Sequence, residues 1–83
     1  MNKLEEILEN YPEDEFLKAD GYDDAVIGMC YVTQRLIYSI DKCIDILVAD
    51  HEMTHEEALD YFYFNTAGAY VGDKTPIYCV DNI

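Results

Sequence analysis

The hydrophobic pattern of this chain changes its period at Ser39. Before that residue, Ala25–Val32 is a continuous apolar run that is rich in β-branched side chains, and a second run, Arg35–Ser39, follows after Thr33-Gln34. Continuous apolar runs of this length, bounded by polar residues, are typical of strands that are buried on both faces. The pattern therefore predicts a β-hairpin that is covered on both sides.

Beyond Ser39 the apolar residues recur with helical spacing. The stripe follows the i, i+3, i+4, i+7, i+8 pattern: Ile40, Cys43, Ile44, Leu47 and Val48. Ser39 is the predicted N-cap of this helix. A second helix is predicted to begin after Thr54, because Thr54 and Glu57 have the spacing of a capping box. Gly72 is its predicted end, followed by a turn at Thr75-Pro76 and a short third strand at Ile77–Val80.

The first 24 residues differ in character from the rest. Leu4, Ile7 and Leu8 predict a short amphipathic helix with Asn2 as its cap, and residues 10–24 form an acidic, irregular connection. At 83 residues the chain has the length of a single domain, with this N-terminal segment (1–24) attached to a core (25–83). The predicted fold is α+β: a small antiparallel sheet, made of the hairpin and a possible third strand, packed on two consecutive helices.

The charge balance restricts the partners of this chain. It has 18 acidic and 5 basic residues and a formal net charge of −13. Nucleic acid binds proteins largely through cationic side chains that replace counterions on phosphates, so direct binding to DNA or RNA is not expected, and anionic membranes are disfavoured too. The same field attracts basic surfaces. The predicted partner is therefore a protein with a basic surface.

The cysteines and the N-terminus place the chain in a reducing compartment. Cys30, Cys43 and Cys79 are odd in number and widely spaced, which fits buried apolar side chains better than a disulfide framework or a zinc ribbon. No apolar segment has the length of a leader or a membrane span. We expect a cytosolic protein without a cofactor.

The string His51-Glu52-Met53-Thr54-His55 matches the H-E-x-x-H motif of zinc proteases. In those enzymes one helix face holds both imidazoles on zinc, and the Glu acts as general base. Here Thr54 is the better helix cap, so a helix boundary is predicted inside the motif. A small zinc-dependent hydrolase using His51, Glu52 and His55 remains the alternative to a non-catalytic protein.

The second helix carries four aromatic residues in succession, Tyr61–Phe64. At about 100° per residue, their side chains are distributed around almost the whole circumference of the helix. The predicted core face of this helix consists of Ala58, Leu59, Phe62, Thr66 and Ala69. Phe64 falls on the opposite side, near Glu57 and Asp60. Two interpretations stay open: the hairpin covers this second face and buries Phe64, or Phe64 is an exposed anchor ringed by acids, for a partner or for a second copy of the chain.

Several acids stand four residues apart: Asp41 with Asp45, Glu52 with Glu56, and Glu56 with Asp60. Like charges at this spacing cost a few tenths of a kcal/mol each on a helix, about 0.2–0.5. Rows of carboxylates can imitate DNA phosphates on a basic site, although they also simply keep a protein soluble.

Several segments of the chain together carry a resemblance to a known family: Val26–Gly28, Arg35–Ser39, Cys43–Leu47, Met53–Ala58, Phe64-Asn65, Ala69-Tyr70, Gly72 and Thr75-Pro76. They resemble small proteins encoded by bacteriophages and prophages, a family with no established activity. The resemblance implies an accessory protein made in the cytosol of an infected bacterium. A role in host takeover or anti-defence is expected only because small acidic phage proteins as a class often have such roles.

The sequence thus predicts a non-catalytic interaction protein whose acidic surface docks on a basic site of a host protein. The predicted contact residues are Glu56, Glu57, Asp60 and Phe64, and then Glu13, Asp14 and Glu15. A zinc hydrolase and a structural homodimer without an inhibitory role are the two alternatives.

Overall fold

The computed structural model describes residues 2–68 and 72–81. Within them lie three α-helices and three strands: α1 (Lys3–Asn10), β1 (Val26–Cys30), β2 (Arg35–Ser39), α2 (Ile40–Asp50), α3 (His55–Phe62) and β3 (Ile77–Cys79). A short 3-10 turn precedes β1, and a π-helical segment, Tyr63–Ala67, continues α3. The predicted α+β class, with a short N-terminal helix, is confirmed.

Each α-helix begins at the cap that the sequence predicts. The Asn2 side chain accepts from Glu5 N (2.9 Å) at the start of α1, and Ser39 Oγ accepts from Lys42 N (3.2 Å) at the start of α2. At α3 both halves of the capping box form: Glu57 N donates to Thr54 Oγ1 (3.1 Å), and Thr54 N donates to Glu57 Oε1 (2.9 Å). Side chains thus satisfy N–H groups that have no partner inside the helix.

The sheet has the order β1-β2-β3 and is mixed. The hairpin pair β1 and β2 is antiparallel, as predicted, with an irregularity between Val26 and Gly28. The third strand was expected to extend an antiparallel sheet, but β3 runs parallel to β2, with Ile37 opposite Ile77. The reason is the connection: the chain leaves β2 into two helices and returns, and such a crossover allows the next strand to run in the same direction.

The hairpin is shorter than the apolar run that predicted it. β1 ends at Cys30, and residues 31–34 form a turn in which Gln34 adopts φ +56° and donates its backbone N–H to Cys30 O (2.7 Å). Tyr31 and Val32, expected in the strand, are instead 84% and 87% exposed at its end. The turn spans four residues, two of which come from the predicted strand.

One core joins the helices, the sheet and the N-terminal segment. Its fully buried side chains include Leu36 and Tyr38 of β2 and Phe62 of α3. The remaining buried apolar members are Leu4, Ile7, Tyr22, Ala25, Val26, Cys43, Ile44, Leu47 and Ala58. Leu59 packs against this cluster as predicted, and Ala69 lies outside the described residues. Since Leu4, Ile7 and Tyr22 belong to the cluster, residues 1–24 contribute to the core as well as to the surface.

The capping box of α3 gives a test of this fold. Thr54→Ala removes the acceptor for Glu57 N, and we expect it to lower the free energy of unfolding by about 1 kcal/mol. Thr54→Ser keeps the hydroxyl and should lose clearly less. Urea unfolding followed by circular dichroism measures both, and an equal loss in the two variants would show that the hydroxyl is not the stabilising group.

Candidate functional site

The predicted contact residues on α3 lie on its solvent side. Ala58 and Phe62 are buried and orient the helix, which leaves Glu56 and Asp60 exposed one turn apart. Within the described residues neither carboxylate has a hydrogen bond or an ion pair. We call Glu56, Asp60 and Phe64 the α3 acidic surface.

Phe64 is the most exposed large apolar side chain of the described residues, at 89%. The hairpin therefore does not cover this side of α3, and the expectation that Phe64 is buried there is wrong. The backbone widens into a π-helix at Tyr63–Ala67, where Asn65 Nδ2 donates to Tyr61 O (3.2 Å). Such insertions redirect the side chains of a helix and are frequent at functional sites.

Glu57 is placed differently from its neighbours on α3. Its carboxylate accepts the backbone N–H of Thr54, and this backbone bond, followed by the bond with the Thr54 side chain, holds the pKa of Glu57 below its ordinary value. The negative charge of Glu57 therefore stabilises the N-terminus of α3. Glu57 is exposed, but it contributes to α3 as a cap as well as to the field outside it.

The second predicted group, Glu13, Asp14 and Glu15, lies in the irregular connection after α1. Glu13 and Glu15 are exposed and Asp14 is half-buried. Glu13 and Asp14 line a shallow hollow with Asn10–Pro12, whereas Glu15 lines a different one, beside Asp73 and Lys74. The three acids thus do not form one flat surface, and no hydrogen bond or ion pair between described residues joins them to Glu56 or Asp60.

The carboxylates of this chain are displayed outward. Of the 18 acidic residues, all but Asp14 are exposed. The ion pair between described residues is Lys3 Nζ to Glu6 Oε2 (3.1 Å). Arg35 Nε donates to Thr75 O, and Lys74 Nζ donates to Thr33 O (3.3 Å), so two of the five basic residues satisfy carbonyl groups. The chain therefore leaves most of its negative charge available to a partner.

The like-charge pairs are only partly helical. Asp41 and Asp45 share α2, and Glu56 and Asp60 share α3, so both pairs carry the expected repulsion. Glu52 lies between the helices with φ +54°, and the predicted helical pairing of Glu52 with Glu56 is wrong. Glu52 lies in the loop between the C-cap of α2 and the N-cap of α3, so it is not on the same helix as Glu56.

The H-E-x-x-H string is divided between two helices. α2 ends at Asp50 with His51 as its C-cap, and α3 begins at His55 after the Thr54 cap, which confirms the predicted boundary inside the motif. The two imidazoles therefore do not share one helix face, which the zinc-protease geometry requires. Among residues 2–68 and 72–81, no three His, Cys, Asp or Glu side chains are grouped so that they could hold a metal ion.

The three cysteines occupy two kinds of environment. Cys43 is fully buried, and burial raises the pKa of its thiol to about 12. Cys30 and Cys79 are only half-buried, contrary to the expectation for all three. At Cys30 a hydrogen bond with the Thr33 side chain lowers the thiol pKa. Cys43 thus behaves as a core residue, whereas Cys30 and Cys79 reach the surface.

A half-open groove of about 230 Å³ runs beside the π-helical segment. Its lining residues are Lys18, Ala19, Asp20, Tyr22, Asn65, Thr66, Pro76 and Tyr78. Tyr22 Oη and Thr66 Oγ1 share a hydrogen bond (3.2 Å), and burial raises the pKa of Tyr22. The raised pKa values of Tyr22 and Tyr78 keep these tyrosines protonated at neutral pH, and among the described lining residues no nucleophile is paired with a base.

Comparison of the chain with known protein families, with curated proteins and with solved structures gives no match. No helix within the described residues has both the length and the apolar character that crossing a bilayer requires. The candidate surface therefore rests on the geometry of the chain itself.

Sequence reasoning missed the exposed end of the hairpin. Tyr31 and Val32 extend the apolar run without a break, and hydrophobicity alone assigns them to β1. The available signal was Thr33-Gln34, which is not the Asn-Gly or Asp-Gly pair that two-residue hairpin turns favour. A longer turn was therefore the better expectation.

Buried tyrosines predict an alkaline limit to stability. Burial raises the pKa of Tyr78 from 10.0 to about 12. A folded-state pKa above the unfolded value stabilises the fold below pH 10, and this stabilisation is lost as pH rises toward 12. We expect the urea midpoint of unfolding to fall across that pH range. In the Tyr78→Phe variant the midpoint should fall less steeply with pH. Tyr31→Phe, at an exposed position, is the control, and equal slopes in both variants would contradict the assignment.

Proposed function

We propose that this chain is a non-catalytic binding protein that docks the α3 acidic surface on a basic site of another protein. The observation that supports the proposal combines two exposed carboxylates on α3, Glu56 and Asp60, which no other described residue pairs, with the 89% exposed Phe64 of the π-helical segment that follows. Apolar side chains of this size are usually covered. An exposed one beside charges that repel self-association favours a partner of opposite charge.

The two kinds of side chain contribute different parts of the binding. The net charge of −13 attracts a basic surface over a distance and raises the rate of encounter. Phe64 supplies apolar area, and its full burial in a partner pocket contributes about 1.5–3 kcal/mol. Aromatic anchors surrounded by a polar rim are the usual arrangement of binding hot spots.

The partner class follows from charge and from the resemblance to phage-encoded proteins. A basic site built for nucleic acid offers the cationic density that this surface complements. The carboxylates of Glu56 and Asp60, about 6 Å apart along the helix axis, would take the place of phosphates there. We therefore propose a nucleic-acid-binding protein of the host bacterium, met in the host cytosol, with Glu13, Asp14 and Glu15 as a second, separate contact.

Charge-neutral variants test the surface directly. The double variant Glu56→Gln/Asp60→Asn and the single variant Phe64→Ala should each reduce capture of the partner from bacterial lysate by at least about tenfold, equivalent to about 1.4 kcal/mol. Quantitative mass spectrometry of proteins retained on the immobilised chain gives the measurement. The same variants of Glu13 and Glu15 test the second contact separately.

The control for charge is Glu9→Gln/Asp45→Asn, which neutralises two exposed helical carboxylates away from α3. Capture should stay near the wild-type level in this variant. If both double variants reduce capture equally, only net charge matters and no specific α3 surface exists. If neither does, and Phe64→Ala is also silent, the proposed docking is wrong.

Salt and competing DNA test the partner class. Raising ionic strength from about 0.15 M to about 1 M shortens the screening length from about 8 Å to about 3 Å, so capture should weaken strongly. A short DNA duplex added to the lysate should compete for the same basic site. Capture that is insensitive to salt would contradict electrostatic docking, whereas salt-sensitive capture without DNA competition would place the basic site outside a nucleic-acid channel.

A further inference from the structure

The sheet has an outer face that the core does not use. Residues that are paired across strands share a face, and successive residues of a strand alternate between faces. Tyr38 is paired with Val26 and Tyr78, on the inner side with the helices. The alternate residues form the outer sheet face, which consists of Gly28, Cys30, Arg35, Ile37, Ser39, Ile77 and Cys79. Ser39, at the end of β2, is fully buried.

Two observations show that the middle of this face is open. Ile37, Ile77 and the two cysteines are half-buried, and none of them belongs to the residues that form the core or pack against it among residues 2–68 and 72–81. A Cβ built on Gly28 would meet no atom within 4 Å. The sequence predicts a hairpin covered on both sides, but among residues 2–68 and 72–81 no layer packs on the apolar row Gly28–Ile37–Ile77.

The distribution of charge indicates what can cover this face. Residues 25–40 and β3 contain none of the 18 acids, and Arg35 is their single charged residue. An approach through the helices or through the connection after α1 brings the carboxylates of two −13 chains together. A basic partner has no electrostatic reason to choose the acid-free face, whereas a second copy can approach there with the least repulsion.

The ends of the face are complementary to each other. Arg35 begins β2, and at the other end of β2 Ser39 Oγ donates to the exposed Asp81 (2.6 Å). A two-fold axis that crosses the strands near Ile37 brings Arg35 of one copy toward Asp81 of the other, twice. Two-fold interfaces require such self-complementary surfaces.

We infer that two copies of the chain pack their outer sheet faces together in a two-fold dimer, with Ile37 at the centre. This site is independent of the α3 acidic surface, which stays exposed in the dimer. The outer sheet face measures only about 16 Å by 14 Å. Its area is therefore well below the roughly 800 Å² that each partner buries in a standard interface. The dimer is accordingly weak and forms at high concentration.

A variant at Gly28 separates apolar contact from charge. Gly28→Lys projects into open space, so the monomer accommodates it, and it lowers the net negative charge and hence the repulsion between copies. If the outer faces meet, Gly28→Lys nevertheless weakens dimerisation by at least about tenfold, as measured by sedimentation equilibrium. Ala49→Lys adds the same charge on the exposed side of α2 and should leave the dimer unchanged or tighten it.

Thiol protection tests the same contact in the unmodified protein. Alkylation of Cys30 and Cys79, read by peptide mass mapping, should slow as the protein concentration rises through the dimerisation range. Cys43, which is fully buried, should stay unmodified throughout in the folded chain. Added salt should strengthen the dimer, because it screens the repulsion between two anions, which is the opposite of its effect on docking by α3.

A chain that sediments as a monomer at all concentrations and in high salt overturns the inference. So does a dimer that Gly28→Lys leaves intact, or one that Phe64→Ala abolishes. Gly28→Lys should retain partner capture, and Glu56→Gln/Asp60→Asn should retain the dimer, so that failure of either proposal is seen separately.

Discussion

The placement of Phe62 among the tyrosines determines how α3 presents its side chains. Its ring packs edge-on against those of Tyr22 and Tyr78, with ring centroids 6.1 Å and 5.3 Å apart. The ring centroids of Tyr78 and of Tyr38 in the central strand are 5.6 Å apart. These contacts tie α3 to the sheet and to the N-terminal connection at one point. At about 100° per residue, a buried Phe62 turns Asp60 about 160° away, toward solvent. The α3 acidic surface is thus a consequence of core packing.

The charge of the molecule is divided between its layers. The helices and the connection after α1 carry nearly all of the carboxylates, and the strands carry none. A chain with this excess of one sign lacks the counter-charges to pair its own acids, so their repulsion is relieved only by spacing, by caps such as Glu57, or by a partner. The two proposed surfaces follow from this division, since a basic partner is drawn to the acidic layer and a second copy only to the acid-free one.

Local capping chemistry decides the conformation around His51 and His55. The reciprocal bonds of Thr54 and Glu57 start a new helix inside the H-E-x-x-H string, and Glu52 takes a positive φ before it. A capping box satisfies backbone donors within four residues, whatever the rest of the fold does. The H-E-x-x-H motif holds zinc when its backbone is one continuous helix, and here it is divided between two helices.

The sequence by itself determined the features that depend on neighbours along the chain. The caps at Asn2, Ser39 and Thr54, the start of β2 and the inward face of α3 at Phe62 all follow from periodicity and capping, which act over a few residues. The exposed acids of α3 were also predictable, because they lie opposite its apolar stripe.

Only the tertiary structure decided which apolar residues are covered. The same hydrophobic run supplies the buried Val26, the exposed Val32 and the open outer position of Gly28, and no local pattern separates them. Whether Phe64 is buried depended on where the hairpin packs, and the direction of β3 depended on the path of the helical crossover. Burial is settled by contacts between segments distant in sequence, so the amino-acid pattern gives the apolar material and the assembled layers decide which of it faces solvent.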